Sequence, residues 1–313
     1  MPFTGKSGKF SAKINAVTIG TGDKAITVGG ENVLPFYTFD EAIENAPKVG
    51  IEITDGGMDN EPECVKKCYE GCATVVDMAK KAATFEGVDF LSIRLEGGDP
   101  NGENKSTEEL VQILKDIADA VDLPLVVCGC KNVEKDGELL DKASSALEGK
   151  NVVILSAREE DYKTIGASAG LAYKQIVGAE SAVDINLAKQ LNVLLTQLGV
   201  NGQRIVMNVG TAAAGYGFEY VVSTMDRVKA AALSQSDTTL QMPIITPVAS
   251  EVWGVKEAMA SEADMPEWGS LEERAIDMEV ETAAAVLASG SNAVILRHPE
   301  SVKTISQLIK ELV

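Results

Sequence analysis

The most reactive side chains in this sequence are its five cysteines. Cys64, Cys68 and Cys72 are spaced four apart, so in a helix they would share one face. The helix would rise roughly 12 Å from the first to the third, too far for both sulfurs to reach one compact iron–sulfur cluster. Cys128 and Cys130 lie two apart at a predicted strand end and would point the same way. Neither spacing matches a cluster motif, so we interpret the thiols as structural core residues.

A second set of candidate groups lies at or just past the ends of the predicted strands. Its members are Asp55, Glu96, Asp99, Ser156, Asn208, Thr211, Thr246, Ser250, Arg297 and His298. The carboxyl ends of barrel strands share one face, so these groups should surround one cavity. Paired carboxylates such as Asp55 and Glu96 could do acid–base work. A single histidine excludes a His₂ or His₃ metal site within this chain, and no nucleophile-elbow motif supports a Ser-His-Asp triad.

The stretch "NVGTAAAGYGFEY" (208–220) is the most informative of the strand-end segments. Asn208 offers an amide donor and acceptor, and Thr211 to Gly215 has no bulky side chain. Such a backbone can lie flat against a broad ligand. A helix that simply begins with small residues is an equally good interpretation.

The elements that would position these groups form a repeating pattern from residue 50 onward. Apolar runs typical of buried strands occur at 51–54, 90–95, 125–128, 152–155, 182–185, 205–209, 244–247 and 293–296. Helical patterns occur at 62–83, 107–121, 134–147, 161–177, 187–198, 218–234, 271–288 and 301–312. Eight strands, each followed by a helix, predict an α/β fold of the (β/α)₈ TIM-barrel type. The alternative is a doubly wound open sheet, but no G-x-G-x-x-G loop follows the first strand.

The N-terminal part precedes these repeated units. Residues 14–36 predict a β-hairpin in which Val17 and Ile19, and then Ile26 and Val28, alternate around a turn at Gly22-Asp23. We therefore expect an N-terminal extension over 1–45 and a barrel over 46–313.

Capping signals mark two of the predicted helices. Asn60 should cap the helix at 62–83, with Pro62 in its first turn, and Ser301 should cap the last helix.

Composition excludes several classes of protein. The 313 residues include 47 acidic and 28 basic side chains, a net charge of −19, which disfavours nucleic acid and anionic lipid as partners. No apolar run approaches the ~20 residues that span a bilayer. The N-terminus lacks a signal-peptide pattern and the cysteine count is odd, so we expect a cytoplasmic protein without disulfides.

Five segments carry a resemblance to a known family. They are "VTIGTGDKAITVGGE", "EITDGGMDN", "DFLSIRLEGGDPN", "RIVMNVGTAAAGYGFEY" and "ITPVASEVWGVKEA". They resemble the small subunit of the bacterial corrinoid iron–sulfur protein of the reductive acetyl-CoA pathway. The similarity covers essentially the whole chain, which makes it more specific than any single motif.

The resemblance implies a barrel related to pterin-dependent methyltransferases, in a heterodimer with a large subunit that carries a [4Fe–4S] cluster. A cobamide would lie between the subunits near the barrel mouth. The pair would accept a methyl group from methyltetrahydrofolate through a separate methyltransferase and pass it to CO dehydrogenase/acetyl-CoA synthase. This chain would then be a non-catalytic methyl-carrier subunit.

Cofactor contacts are expected in the strand-end segments. The candidates are Asp55, Gly56, Gly57, Glu96, Asn208, Gly210, Thr211, Ala212, Ala213, Ala214, Gly215, Thr246 and Pro247. His298 lies in "LRHPES", which lacks the Asp-x-His-x-x-Gly pattern, so this chain should not supply a lower ligand to cobalt.

Two other functions remain open at this point. One is an autonomous pterin-binding methyltransferase, with Asp55, Asp99 and Asn208 as pterin ligands. The other is an iron–sulfur protein that uses the five cysteines. Trp253 and Trp268 are either partner or cofactor contacts or local anchors of their long loop.

Overall fold

The computed structural model describes residues 8–59 and 61–313. After a two-stranded hairpin of β1 (Val17–Ile19) and β2 (Ile26–Val28) come eight parallel strands. These are β3 (Lys48–Thr54), β4 (Phe90–Arg94), β5 (Leu125–Cys128), β6 (Val153–Ala157), β7 (Ile176–Glu180), β8 (Ile205–Asn208), β9 (Ile245–Pro247) and β10 (Ala293–Leu296).

The eight parallel strands form a barrel. They are hydrogen-bonded in the order β8–β7–β6–β5–β4–β3–β10–β9. A parallel bridge between Met207 and Ile244, with a 2.8 Å bond from Met207 N to Pro243 O, joins the two ends of this order. The predicted (β/α)₈ barrel and its N-terminal hairpin are therefore confirmed.

Helices cover the outside of the barrel. They are α1 (Glu63–Cys68), α2 (Val75–Ala82), α3 (Thr107–Ala120), α4 (Val133–Ala146), α5 (Tyr162–Ile165), α6 (Ile185–Leu198), α7 (Phe218–Ser234), α8 (Ala249–Val252), α9 (Lys256–Met259), α10 (Leu271–Ser289) and α11 (Pro299–Leu312). A π-helical segment, Gly166–Ala172, continues α5. Among the described residues, no helix is both long enough and apolar enough to cross a membrane.

The strand residues alternate between two apolar layers. Outward side chains such as Ile51 and Ile53 pack against the helices. Inward side chains, including Phe90, fill the barrel itself. Gly50 makes room for Phe90, because a Cβ there would come within 2.2 Å of the Phe90 ring.

The fifth barrel strand was predicted at 182–185 and actually spans Ile176–Glu180. Asp184 instead caps α6, accepting hydrogen bonds from the backbone N–H groups of Asn186 and Leu187. The predicted helix over 161–177 is shortened accordingly. The strand has the sequence "IVGAE", and its small residues weaken the apolar run from which the other strands were predicted. Gly178 is required there, because a Cβ would come within 2.2 Å of the Leu155 side chain.

The predicted helix over 62–83 is two helices, α1 and α2, separated by a turn that contains Gly71 at φ +88°. Thr74 and Asp77 form a capping box that starts α2 anew. Pro62 is the residue before α1 and not part of its first turn. Asn60, the predicted cap, lies outside the described residues.

The last helix is also capped differently from the prediction. His298, not Ser301, is its N-cap, and His298 Nδ1 accepts a 3.2 Å hydrogen bond from the backbone N–H of Glu300. The histidine ring therefore has a local structural role.

The hairpin closes the barrel at the amino-terminal ends of its strands. Val17, Ile19 and Val28 are buried in one cluster with the inward-facing barrel residues. Asn151, which precedes β6, donates its side-chain amide to the carbonyls of Thr18 and Gly20 at 2.7 and 3.1 Å. Apolar burial and hydrogen bonds from the chain's own extension thus seal this end.

Candidate functional site

An open pocket of about 400 Å³ lies at the carboxyl-terminal ends of the strands. We call it the mouth pocket. It is lined by Arg94, Cys128, Gly129, Lys131, Leu155, Ser156, Arg158, Glu180, Ala182, Val183, Asn208, Gly210, Thr211, Pro247, Ser250 and Glu251. A smaller pocket of about 250 Å³, lined by Glu96, Cys130, Trp253, Gly254 and Arg297, shares Arg94, Gly129, Lys131 and Ser250 with it. The two are therefore contiguous.

A buried charge cluster lies beneath the mouth. Glu52 Oε2 accepts hydrogen bonds from Arg94 Nε and Nη2 at 3.0 and 2.8 Å, and its Oε1 accepts from Arg297 Nη2 at 2.8 Å. Burial alone would raise the pKa of Glu52, but the two guanidinium groups outweigh it and lower the pKa to about 2. One buried carboxylate thus pairs with two arginines.

Two further carboxyl groups lie near Arg297. Burial raises the pKa of Glu61 and of Glu96, and the nearby Arg297 charge only partly opposes this. Arg297 Nη1 lies 3.7 Å from Glu61 Oε2. Glu96 lines the smaller pocket, so a carboxyl group with a raised pKa lies at the mouth.

A fully buried carboxyl group on α10 holds two mouth segments together. Glu279 accepts hydrogen bonds from the Trp253 indole N–H at 3.0 Å and from the backbone N–H groups of Arg297 and His298 at 2.6 and 3.1 Å. Trp253 is only 6% exposed. It is therefore a local anchor in this chain. Trp268 is partly exposed and lies between the cationic groups of Lys256 and Arg274.

Ion pairs form part of the mouth-pocket wall. Arg158 Nη1 lies 3.4 Å from Asp136 Oδ2, and Arg158 Nε lies 3.4 Å from Glu180 Oε2. Lys131 Nζ lies 3.4 Å from Glu251 Oε1. All three contacts are longer than a typical charge-assisted hydrogen bond.

The structure brings some of the predicted site residues together. Asn208, Gly210, Thr211 and Pro247 line the mouth pocket. Asn208 donates to Ser156 Oγ at 3.3 Å and accepts from the Gly210 backbone N–H at 3.1 Å. Its amide is thus already oriented at the rim.

Other predicted residues lie outside both pockets. Asp55 is buried, and its carboxylate accepts from the Gly97 backbone N–H at 2.9 Å and from Lys105 Nζ at 2.8 Å. Gly56 and Gly57 form the turn that follows, and Gly57 has φ +63°. Thr246 is fully buried, with its hydroxyl 2.8 Å from Ser291 Oγ.

The small-residue segment that follows Thr211 runs away from the mouth pocket. Ala212 is half-buried and Ala213 is buried in the core. The Ala214 backbone N–H donates to Thr282 Oγ1 at 3.1 Å, and Gly215 is an exposed turn residue with φ +87°.

Sequence reasoning missed six charged residues of the mouth: Glu52, Arg94, Lys131, Arg158, Glu180 and Glu251. A signal did exist for two of them. Glu52 and Arg94 interrupt apolar strands that read "IEIT" and "FLSIR", and a charge inside a buried strand needs a partner. Which partner each would find is a matter of strand register.

The cysteines lie in two separate places. Cys64 and Cys68 are on α1, where Cys68 Sγ lies 3.6 Å from His298 Nε2, while Cys128 faces Ser92 Oγ at 3.5 Å inside the barrel. Within the ranges 8–59 and 61–313, no group of three or more His, Cys, Asp or Glu side chains is placed to hold a metal ion.

Comparison with known proteins decides the family. Residues 16–307 match the family described as CO dehydrogenase/acetyl-CoA synthase delta subunit. The chain belongs to this family. The acetyl-CoA decarbonylase/synthase complex subunit delta of Archaeoglobus fulgidus is 32% identical over 302 residues, 94% of this chain and 65% of that protein. The subunit of the same name from Methanocaldococcus jannaschii is 32% identical over 92% of this chain and 70% of that protein. This chain thus spans about two thirds of these relatives' length.

Solved structures similar to this chain confirm the fold class. Dihydropteroate synthase from Xanthomonas albilineans, solved with 4-aminobenzoic acid, superposes with a TM-score of 0.58 at 12% identity, covering 95% of this chain and 98% of that one. The 7,8-dihydropteroate synthase from Vibrio fischeri gives a TM-score of 0.56 at 12% identity, with the same coverage. Identity this low supports the barrel fold alone.

Proposed function

We propose that this chain is the barrel subunit of a corrinoid methyl carrier that works within an acetyl-CoA-forming or acetyl-CoA-cleaving complex in the cytoplasm. The observation that carries the proposal is the family match over residues 16–307. The mouth pocket is where the barrel fold places a ligand. A cobamide is the cofactor that it would hold.

The residues at the rim fit a broad ligand that carries amide groups. The Thr211 hydroxyl oxygen is buried and has no hydrogen-bond partner, and the Ser156 hydroxyl accepts from Asn208 but keeps its own proton. Both can donate to the side-chain amides of a corrin. A pocket of about 400 Å³ suits a ligand of drug size and cannot enclose a cobamide. It can cover one face, so another polypeptide must cover the other.

When bound, a cobamide supplies the cobalt that carries the methyl group. The part of this chain is to orient the cofactor and to keep water away from one of its faces. Leu155, Val183 and Pro247 give the mouth pocket an apolar portion for this purpose. His298 is 2% exposed and its Nδ1 caps α11, so the histidine does not reach the mouth as a ligand.

The proposed partners follow from the complex for which the relatives are named. They are a large corrinoid iron–sulfur subunit that carries the [4Fe–4S] cluster, a methyltransferase that uses methyltetrahydrofolate, and CO dehydrogenase/acetyl-CoA synthase. The net charge of −19 supports protein partners with basic surfaces over nucleic acid or anionic membranes.

Co-expression with the large subunit, followed by cobalt analysis of the purified pair, tests this function. We expect cobalt in the pair and no methyl-transfer turnover by this chain alone. Thr211→Trp should lower the cobalt content by filling the mouth pocket. Thr21→Trp places the same side chain at an exposed site by the hairpin, at the other end of the barrel, and should leave the cobalt content unchanged. Equal cobalt in both variants would contradict the proposed site.

Binding of methyltetrahydrofolate by this chain alone would instead support an autonomous pterin-binding methyltransferase. The described contacts do not favour that function, because Asp55 and Asn208 are already engaged with Lys105, Gly97, Ser156 and Gly210. Measuring the iron content of the same preparation tests the third possibility, an iron–sulfur protein that uses the cysteines.

A further inference from the structure

The balance of basic and acidic residues in the mouth pocket differs from that of the whole chain. The whole sequence has 28 basic and 47 acidic residues. The lining of the mouth pocket instead has three basic residues, Arg94, Lys131 and Arg158, and two acidic ones, Glu180 and Glu251. Behind the lining, Glu52 and Asp136 pair with Arg94 and Arg158. A concave site with low-dielectric walls concentrates the field of such groups. A pocket whose lining has more basic than acidic side chains, in an otherwise acidic chain, is suited to a negatively charged group.

Arg158 retains hydrogen-bonding capacity. Both of its carboxylate contacts, to Asp136 and Glu180, are 3.4 Å long, whereas a charge-assisted N–H to O bond is roughly 2.7–2.9 Å. Asp136 is held in place by a 2.7 Å bond from the Cys130 backbone N–H to its Oδ1. The guanidinium side chain is 19% exposed, so it is ordered by its neighbours without being saturated by them.

Lys131 and Arg94 differ in how firmly their side chains are held in place. Lys131 has a side chain that is 57% exposed and a 3.4 Å contact with Glu251, so its ammonium group can turn toward a ligand. Arg94 is fixed by bonds of 2.8 and 3.0 Å to Glu52. The pocket therefore combines a fixed arginine at its floor, a partly satisfied arginine at its wall and a mobile lysine at its edge.

Two hydroxyl groups add neutral donors to the same pocket. Thr211 Oγ1 is buried without a hydrogen-bond partner, which is costly for a polar group unless a ligand satisfies it. Ser156, 4% exposed, accepts from Asn208 and has its own proton to donate. A metal cation is the wrong ligand for this site, because no metal-holding group of three or more acidic, Cys or His side chains occurs in the part of the chain that the structure describes.

We propose that the mouth pocket binds a small oxyanion, a carboxylate or phosphate group, between Arg158 and Lys131, with Thr211 and Ser156 as neutral donors. The oxyanion has two possible sources. It is either a free anion or the phosphodiester of a cobamide's nucleotide tail. The proposal does not depend on the methyl-carrier function, because the contacts that carry it all lie within this chain.

Titration calorimetry of the full-length chain with inorganic phosphate at low ionic strength tests this proposal. We expect saturable binding that Arg158→Gln weakens about tenfold or more, since a charged hydrogen bond is lost. Lys131→Gln should weaken binding to a smaller extent. Arg227→Gln removes an exposed arginine of α7 that lies outside the mouth pocket, and it should bind phosphate like the unmodified chain.

No saturable binding, or equal binding by the Arg158→Gln and Lys131→Gln variants and the unmodified chain, would overturn the proposal. Lys131 is exposed, so its substitution does not endanger the fold and keeps the test decisive. The cobalt content of the subunit pair tests the methyl-carrier function separately, so a failure of phosphate binding would not decide that function.

Thr211→Val should weaken phosphate binding without lowering the stability of the fold. Removing an unsatisfied buried hydroxyl should leave the melting temperature unchanged or raise it, while phosphate binding weakens about threefold. Unchanged phosphate binding by this variant would remove Thr211 from the site.

Titrations in the presence of two corrinoids separate the possible sources. Competition by cobalamin but not by cobinamide, which lacks the nucleotide tail, identifies the tail phosphate as the ligand. Phosphate binding that neither corrinoid disturbs identifies a separate small anion. Equal competition by both would mean that the corrin ring covers the same pocket, and would exclude the tail phosphate as the source while supporting a free anion.

Discussion

The two ends of the barrel differ in what fills them, apolar side chains at one and paired charges at the other. At the amino-terminal ends of the strands, the hairpin inserts Val17, Ile19 and Val28 into one apolar cluster with the barrel interior. At the carboxyl-terminal ends, Glu52, Arg94 and Arg297 form a buried charge cluster under an open pocket. Burying charges is expensive even when they are paired, so stability alone does not account for such a cluster. The closed end contributes apolar burial to the fold, and the charged end carries the proposed binding site.

Replacing the central carboxylate of the mouth should have the largest effect. Glu52→Gln leaves two buried guanidinium groups without their shared counter-charge, and we expect a loss of about 4 kcal/mol in the free energy of unfolding. Urea denaturation measures this loss. Glu44→Gln makes the same change in an exposed pair with Lys13 and should be near neutral. A similar loss of unfolding free energy in both variants would mean that the buried cluster stabilises the fold no more than an exposed ion pair does.

The same cluster should make stability depend on pH. The pKa of Glu52 is lowered from its ordinary 4.5 to about 2, so folding favours its charged form. Its stabilising contribution is fully present above pH 4.5 and is lost as the pH falls toward 2. The difference in unfolding free energy between the unmodified chain and Glu52→Gln should therefore shrink across that range. A difference independent of pH would contradict the lowered pKa.

A cavity at the closed end should reduce stability without affecting binding. Ile19→Ala removes buried apolar atoms from the hairpin cluster, and we expect a loss of about 3 kcal/mol in the free energy of unfolding. The cobalt content of the subunit pair and phosphate binding by the chain should not change while the protein stays folded. A loss of cobalt in folded Ile19→Ala protein would show that the two ends are coupled.

The smallest effect should come from the anchor at the mouth. Trp253→Phe removes the indole N–H that donates to Glu279, at a cost of about 1 kcal/mol in a thermal or urea unfolding experiment. Trp268→Phe keeps an aromatic ring between Lys256 and Arg274 and should be near neutral. A larger loss for Trp268→Phe than for Trp253→Phe would reverse the roles assigned to the two tryptophans.

Much of the barrel was predictable because a strand buried on both faces must be apolar along its length. That pattern located seven of the eight strands, and the alternation of apolar residues around Gly22-Asp23 located the hairpin. It failed at β7, where Gly178 is small because Leu155 occupies the space beside it. The break between α1 and α2 was also missed, since the helical periodicity of 62–83 continues across the turn at Gly71.

The candidate site was predictable only in part. Asn208, Gly210, Thr211 and Pro247 follow directly from the rule that ligands bind at the carboxyl ends of barrel strands. Arg158 and Glu180 come from β6 and β7, and the strand boundaries assigned from sequence did not bring the two together. Asp55 has the right position at a strand end, yet its bonds to Gly97 and Lys105 occupy it.

The sequence by itself determined the barrel class, the hairpin and the end of the barrel at which a ligand site is proposed. These depend on local periodicity and on the order of elements along the chain. Only the tertiary structure decided which charges meet, because Glu52, Arg94 and Arg297 are brought together by strand register across 245 positions of sequence separation. It also decided that the one histidine is a buried helix cap. Register and burial arise from the packing of distant segments, which no local pattern encodes.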